Sequence, residues 1–197
     1  MKKMLLFSIA ALVSMHSFAQ TEKAVKPGKI FFTSFIGIGT ARGDVGSNAS
    51  SGFQAMTGIE YKFDKHQSIT GELNFDGYSY KVVTSTYSLD GSINTIPLTI
   101  LYKYTFGKNK LHPFIEAGAG IANISVPQVT QTQGFTTIKN KSEFAPQGQV
   151  ALGLIYNFTP QYLIFTEASY QQFGKIKAIN DRSFGANAFR IGISSAL

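Results

Sequence analysis

The stretch VALGLIYNFTPQYLIFTEASY, Val150 to Tyr170, alternates with a two-residue period on both sides of a tight break at Thr159-Pro160-Gln161. One parity carries Val150, Leu152, Leu154, Tyr156 and Phe158, then Tyr162, Ile164, Thr166, Ala168 and Tyr170. The other carries Ala151, Gly153, Ile155 and Asn157, then Leu163, Phe165, Glu167 and Ser169. Successive side chains of a strand point to opposite faces, so this pattern predicts two strands in a hairpin with one apolar face. In a soluble sheet that face turns inward; in a membrane barrel it turns outward. The rest of the chain must decide between them.

Six further segments keep the same period. Ile30 to Thr40 sets Ile30, Phe32, Ile36 and Ile38 against Thr33, Gly37 and Gly39. Phe53 to Phe63 sets Phe53, Ala55, Thr57, Ile59, Tyr61 and Phe63 against Gln54, Gly58, Glu60 and Lys62. Gln67 to Asp76 sets Ile69, Leu73 and Phe75 against Ser68, Thr70, Glu72 and Asn74. Asn94 to Phe106 sets Ile96, Leu98, Ile100, Tyr102, Tyr104 and Phe106 against Thr95, Thr99, Lys103 and Thr105. Leu111 to Ile124 sets Ile115, Ala117, Ala119 and Ile121 against Glu116, Gly118, Gly120 and Ala122, and Ala188 to Leu197 sets Phe189, Ile191, Ile193 and Leu197 against Arg190, Gly192 and Ser194. With the opening pair these make eight predicted strands, each near the ~9–11 residues a tilted strand needs to cross a bilayer. The 17 Phe, 9 Tyr and 19 Gly, and the lack of any long helical period, fit one all-β domain.

The connections alternate between short and long. Three are tight, at Asp64 to His66, Gly107 to Lys110 and Thr159 to Gln161. Four are long and polar, roughly Ala41 to Gly52, Gly77 to Ile93, Ser125 to Glu143 and Gly174 to Asn187. In an up-and-down meander alternate connections share an end, so all tight turns fall at one end and all long loops at the other. That asymmetry is the pattern of an outer-membrane barrel, and a soluble lipocalin-like carrier has no reason for it. Tyr61, Phe63, Tyr102, Tyr104, Phe106, Tyr156, Phe158 and Tyr162 all border the tight turns on the apolar parity. Aromatic rings collect where a barrel meets the membrane–water boundary. Phe53, Phe75, Phe144, Tyr170 and Phe189 predict a looser second ring. The fold expected is an eight-stranded antiparallel up-and-down transmembrane β-barrel, apolar face to lipid and polar face to the lumen.

The N-terminus points to export. Lys2 and Lys3 precede the apolar run Leu5 to Val13, and small residues surround Phe18 before Gln20. This predicts a cleaved signal peptide over 1–19, a short periplasmic lead over 20–29 and the barrel domain over 30–197. The chain holds no cysteine, so neither a disulfide nor a lipid-bearing cysteine is predicted. Loss of the two signal lysines lowers the net charge from +7 to about +5, spread along the chain. Nucleic-acid binding would need a basic stripe interleaved with stacking aromatics, and none is seen.

Together these features resemble the small outer-membrane barrels typified by the OmpA transmembrane domain and OmpX, known as the outer membrane protein beta-barrel domain or porin family. The resemblance runs from Ile30 to Leu197 and rests on the strand count, the turn asymmetry, PFIEAGAGIA at Pro113 to Ala122 and the closing FRIGISSAL. It implies a Gram-negative outer-membrane location and a final strand read by the barrel assembly machinery. Arg190, Gly192 and Leu197 fit that assembly signal; Ser195 departs from it, and Leu197 stands where an aromatic is usual. The peptidoglycan-binding domain that OmpA adds is not expected here. Implied partners are outer-membrane lipid and lipopolysaccharide, the assembly machinery and periplasmic chaperones during biogenesis, and an extracellular ligand at the long loops. The chain is expected to act as a monomer without cofactor or metal.

Glu60, Lys62, Glu72, Lys103, Glu116, Glu167 and Arg190 share the inward parity. An eight-stranded barrel leaves room only for side chains, so these charges are predicted to pair in a network with Lys103 and Arg190 central and Lys62 nearer the tight turns. Such a plug outweighs a gated ion path, and no cleft would admit a substrate between paired carboxylates. His66 and Ser68 have a spacing similar to that of base and nucleophile in a barrel that deacylates lipid A. Glu72, however, lies about 13 Å along the strand at ~3.3 Å per residue, so no catalytic triad is predicted. Arg42-Gly43-Asp44 falls in the first long loop and is explained by turn chemistry alone. Asp90-Gly91 signals a hairpin turn, and strand-forming residues flank Gly134, so the second and third loops are expected to extend the sheet. The expected role is structural or surface-interacting, with a narrow porin-like channel as the alternative and a soluble carrier as the second.

Overall fold

The computed structural model describes residues 30–43, 49–83, 88–107, 110–132, 135–159, 161–177 and 182–197; the predicted signal and lead, 1–29, lie outside them. Eight strands follow in order: β1 (Ile30–Gly43), β2 (Ala49–Lys62), β3 (Gln67–Val83), β4 (Ser88–Thr105), β5 (Leu111–Thr132), β6 (Phe135–Asn157), β7 (Tyr162–Ile176) and β8 (Arg182–Ala196). Each pairs antiparallel with its sequence neighbour, and β1 closes on β8 to complete the barrel. Closure leaves no unpaired edge within the wall, the condition for a sheet to sit in hydrocarbon.

The two-residue alternation is realised around the whole wall. Ile38, Ile59, Ile100, Ile121, Leu152 and Ile191 are exposed on the outside, while Thr33, Glu60, Glu72, Thr99, Glu116, Gln149 and Arg190 are buried inside. The three tight turns join β2 to β3, β4 to β5 and β6 to β7, so they share one end. Asp64 closes the first by accepting the backbone N–H of His66 at 2.7 Å and of Gln67 at 2.8 Å. Thr159 Oγ1 closes the third, accepting from Gln161 at 3.3 Å and Tyr162 at 3.0 Å.

Three expectations are corrected. The strands run from 14 to 23 residues, longer than the segments predicted, because pairing continues through most of the predicted loop residues, as expected for the second and third loops but not for the others. The β5–β6 ladder persists to Thr132↔Phe135. Asp90 and Gly91 form no turn: they lie in β4 opposite Lys81 and Tyr80, and Asp90 meets Lys81 at 3.6 Å. The turn of that hairpin lies beyond Val83 and Ser88, outside the described residues. Last, the lumen is not polar throughout. Phe31, Phe35, Met56, Phe114, Ile155, Leu163 and Phe165 pack inside near the tight turns. Tyr78, Ile93, Ile124, Val126, Phe173, Ile176 and Phe184, with small alanines, pack inside near the loops.

Candidate functional site

Between the two apolar clusters lies the charged waist of the barrel, and adjacent strands supply it in register. Lys103 on β4 faces Glu116 on β5 directly, and Glu167 on β7 faces Arg190 on β8. The waist resolves into two groups. In the first, Lys103 Nζ lies 3.6 Å from Glu60 and 3.4 Å from Glu116, and Ser68 Oγ donates to Glu60 at 2.6 Å. In the second, the Arg190 guanidinium donates to Glu167 from two nitrogens, Nε at 3.0 Å, reaches Asn74 Oδ1 at 3.2 Å and comes within 4.0 Å of Glu72. Gln149 links Glu72 to Gln171 through hydrogen bonds of 3.4 and 3.1 Å. Lys62 makes no ion pair within 4 Å among the described residues; its Nζ sits 4.2 Å from the centroid of Phe31.

The other two inward cations also lie over rings. Lys103 is 5.0 Å from Phe114 and Arg190 is 5.0 Å from Phe35. The aromatic cluster thus forms a floor on which the cations rest, a desolvated geometry in which a cation and a ring attract most strongly. Phe35 meets Phe165 edge-on at 4.3 Å, and both rings lie against Gly192. A Cβ there would collide with Phe35 and stand 2.6 Å from Phe165, so only glycine admits this contact. Gly153 plays the same part beneath Phe114, with an added Cβ at 2.6 Å from the ring.

Three groups escaped the sequence reading. Asp76 is buried on the inward parity and accepts from Thr95 Oγ1 at 3.0 Å; it lies at the last position of a segment whose alternation ends there. Gln147, Gln149 and Gln171 carry the waist upward, joined by Asn74 and Gln54, which the alternation already places on the inward face; Gln54 donates to the hydroxyl of Tyr78 at 2.8 Å. Phe31 and Phe35 also share the inward parity of Thr33, a signal that the alternation held but that the apolar outer stripe overshadowed. Among the described residues several buried polar atoms find no hydrogen-bond partner, including Glu72 Oε1, Asp76 Oδ1, Gln54 Oε1 and both Glu116 oxygens.

Outside, Tyr61, Phe63, Tyr102, Tyr104, Phe106, Tyr156 and Phe158 are exposed around the tight-turn end, and Tyr162 is half-buried there. Tyr61 packs edge-on against Phe63 and Tyr104 against Phe106, while the Tyr102 hydroxyl donates to Gln67 at 2.9 Å. Leu197 is exposed beyond β8, and its N–H bonds to Ile30 O at 3.0 Å. The His66–Ser68 pair does not assemble: Ser68 Oγ donates to Glu60, and His66 Nδ1 lies 2.9 Å from Thr105 O. Among the described residues no cluster of three or more His, Cys, Asp or Glu side chains is arranged to hold a metal ion.

The chain matches the family described as outer membrane protein beta-barrel domain over residues 5–195. No curated protein matches its sequence significantly. Among solved structures the barrel is similar to Neisserial surface protein A, at 14% identity and a TM-score of 0.62, covering 86% of this chain and 98% of that one. It is also similar to the outer membrane protein OprG from Pseudomonas aeruginosa, at 15% identity and a TM-score of 0.54, covering 87% and 97%. At such identities the likeness is one of fold.

Proposed function

Because the chain belongs to the outer membrane protein beta-barrel domain family and so resides in the outer membrane in contact with its lipid, we propose that it serves there as a closed structural barrel whose long loops face outward for recognition. The observation that carries this reading is the layering of the lumen: a paired, charged waist enclosed between two packed apolar clusters. Buried ion pairs add little net stability, yet they fix which strands meet and at what height. An apolar layer above and below narrows the path open to a hydrated ion. Residues 1–19 act as the export signal, Arg190, Gly192 and Leu197 engage the assembly machinery, and lipopolysaccharide borders the outer leaflet. The engagement of Ser68 by Glu60 supports a role without catalysis.

A narrow channel is the second reading. The buried oxygens without a hydrogen-bond partner, among them Glu116 Oε1, Glu72 Oε1 and Asp76 Oδ1, favour it. Planar-bilayer recording of the pure, folded, monomeric chain separates the two. A closed barrel gives no steady current, whereas stable single-channel steps would replace the structural reading with the channel.

A further inference from the structure

The outer wall at the loop end is layered, and the strand register shows the layers. Tyr170 on β7 pairs with Asn187 on β8, Asn187 with Thr40 on β1, and Thr40 with Ser51 on β2. These four side chains form one row. It points outward, because their sequence neighbours Gln171, Ala186 and Ala41 are buried in the lumen. One step towards the membrane the same pairing aligns Ala168, Phe189, Ile38 and Phe53, all apolar and all exposed. One step away from it lie Gln172, Gly185 and Arg42. Lys175 and Lys177 follow on β7 on either side of the buried Ile176, so they too point outward.

The upper layer is braced and positive. The ring of Tyr170 lies over Gly185, where an added Cβ would stand 2.8 Å from its hydroxyl. That hydroxyl donates to Gln172 Oε1, and the Gln172 amide donates to the carbonyl oxygens of Phe173 at 3.0 Å and Phe184 at 3.1 Å. Arg42, Lys175 and Lys177 are exposed, and among the described residues none of their side-chain cations has a carboxylate within 4 Å. Glu143 lies beside Lys177 but accepts its backbone N–H, at 2.6 Å. On the opposite wall the exposed Lys81 stands 3.6 Å from Asp90. Positive charge without a counter-charge is thus concentrated on one side of the barrel, where an anion relieves the repulsion among the cations.

The order of the rows selects the anion. A soluble polyanion or an acidic peptide would meet the cations and make no use of the apolar row beneath them. A lipid meets both, with chains along Phe189 and Ile38 and phosphate on Arg42 and the lysines, where charge-assisted hydrogen bonds are strong. Outward residues of one strand stand roughly 7 Å apart, so the amide and hydroxyl row leaves room for a sugar ring between chain and phosphate.

We propose that the outer face of β7, β8, β1 and β2 at the loop end binds the phosphorylated sugar head of a lipid in the outer leaflet. Arg42, Lys175 and Lys177 hold its phosphate, and the row from Tyr170 to Ser51 faces its sugar. This rests on the outward orientation of the loops proposed above, and makes lipopolysaccharide a ligand of one side of the barrel.

The test uses the folded full chain in detergent micelles and fluorescent lipid A carrying its phosphates. The lipid is expected to bind, more weakly as salt rises. Replacing Arg42, Lys175 and Lys177 together by serine should weaken binding on the order of tenfold or more, whereas Lys81→Ser should leave it unchanged. Both variants should keep their resistance to unfolding by dodecyl sulfate. Removing the phosphates from lipid A should cost the wild-type barrel a similar factor, a measurement that needs no variant. Phosphatidylglycerol, with phosphate but no sugar, should bind more weakly than lipid A, and Asn187→Leu should narrow that difference. Equal binding of the stripped lipid or of phosphatidylglycerol would overturn the proposal, and so would displacement of lipid A by heparin fragments at matched concentration. Impermeant labelling of a Ser142→Cys variant on intact cells reads the orientation separately. Label without a preference for lipid A sinks the lipid site alone; no label removes the outward-facing reading on which it rests.

Discussion

The two ends of the barrel close by different means. At the tight-turn end each connection is a few residues long, and side-chain caps from Asp64 and Thr159 tie two of the three. Aromatic rings crowd both surfaces there: Tyr102, Tyr104 and Phe106 outside, Phe31, Phe35 and Phe114 inside beneath three cations. At the loop end, among the described residues, no inward cation lies in the apolar cluster, which packs aliphatic residues and alanines around Tyr78, Phe173 and Phe184. The strands there overrun the membrane, and among the described residues the β6–β7 ladder stops at Gln147↔Phe173. One end is fixed by short-range geometry and leaves nothing to vary. The other is a platform whose height above the membrane comes from continued pairing, so its tips are free to differ without disturbing the wall.

The waist where these two ends meet should give the largest effect. Arg190→Ala leaves Glu167 and Glu72 without their shared cation, an expected loss of about 3–5 kcal/mol in urea unfolding from lipid vesicles. If the two apolar clusters alone held the lumen closed, the loss would instead match that of a surface pair, ~0–1 kcal/mol.

How much of this is legible in the sequence follows from what alternation encodes. Parity separates inside from outside, so Glu60, Lys103, Glu116 and Arg190 are readable as lumen residues from the sequence alone. Parity says nothing about height. Phe31 and Phe165 share a face with Arg190, yet they belong to an apolar floor, and only the strand register shows which side chains meet at one level. Lys62 carries the right parity for the ionic network but stands at the height of Phe31, where it lies over the ring and beyond ion-pair distance of Glu60. The strand ends are obscured for a related reason. Beyond the membrane the outer face of a strand sees water, the apolar outer stripe disappears, and Asp90 and Gly91 look like loop although backbone pairing carries on through them.

The outer surface offers a test of depth. Leu152 is exposed near mid-height on β6, between the rings Phe144 and Phe158 at the two rims. Leu152→Arg should cost roughly 2–4 kcal/mol, whereas Phe144→Arg at the loop end and Tyr156→Arg at the tight-turn end should each cost ~0–1 kcal/mol beyond the loss of the ring itself. Unfolding of the three variants in bilayers of one thickness gives the comparison. A cost at Phe144 as large as that at Leu152 would mean that the membrane reaches further up the loop end than the ring of aromatics marks.

The smallest effect belongs to the turn at Asp64. Its carboxylate accepts two backbone N–H groups, from His66 and Gln67, and these hold its pKa below the ordinary aspartate value. A group whose pKa is lower in the folded state stabilises the fold above its unfolded pKa and loses that contribution as pH falls through the folded value. The window therefore opens near pH 4, the ordinary range for an aspartate, and extends below it. Asp64→Asn keeps an acceptor oxygen but removes the charge, so the difference in urea midpoint between wild type and variant should be present at neutral pH and fade in acid. Thr159→Ala removes a cap of the same kind that does not titrate, and its effect should not change with pH. If the Asp64→Asn difference also stayed constant from neutral pH into the acid range, the turn would owe its closure to hydrogen-bond geometry alone, and the tight-turn end would carry no electrostatic advantage over the loop end at this position.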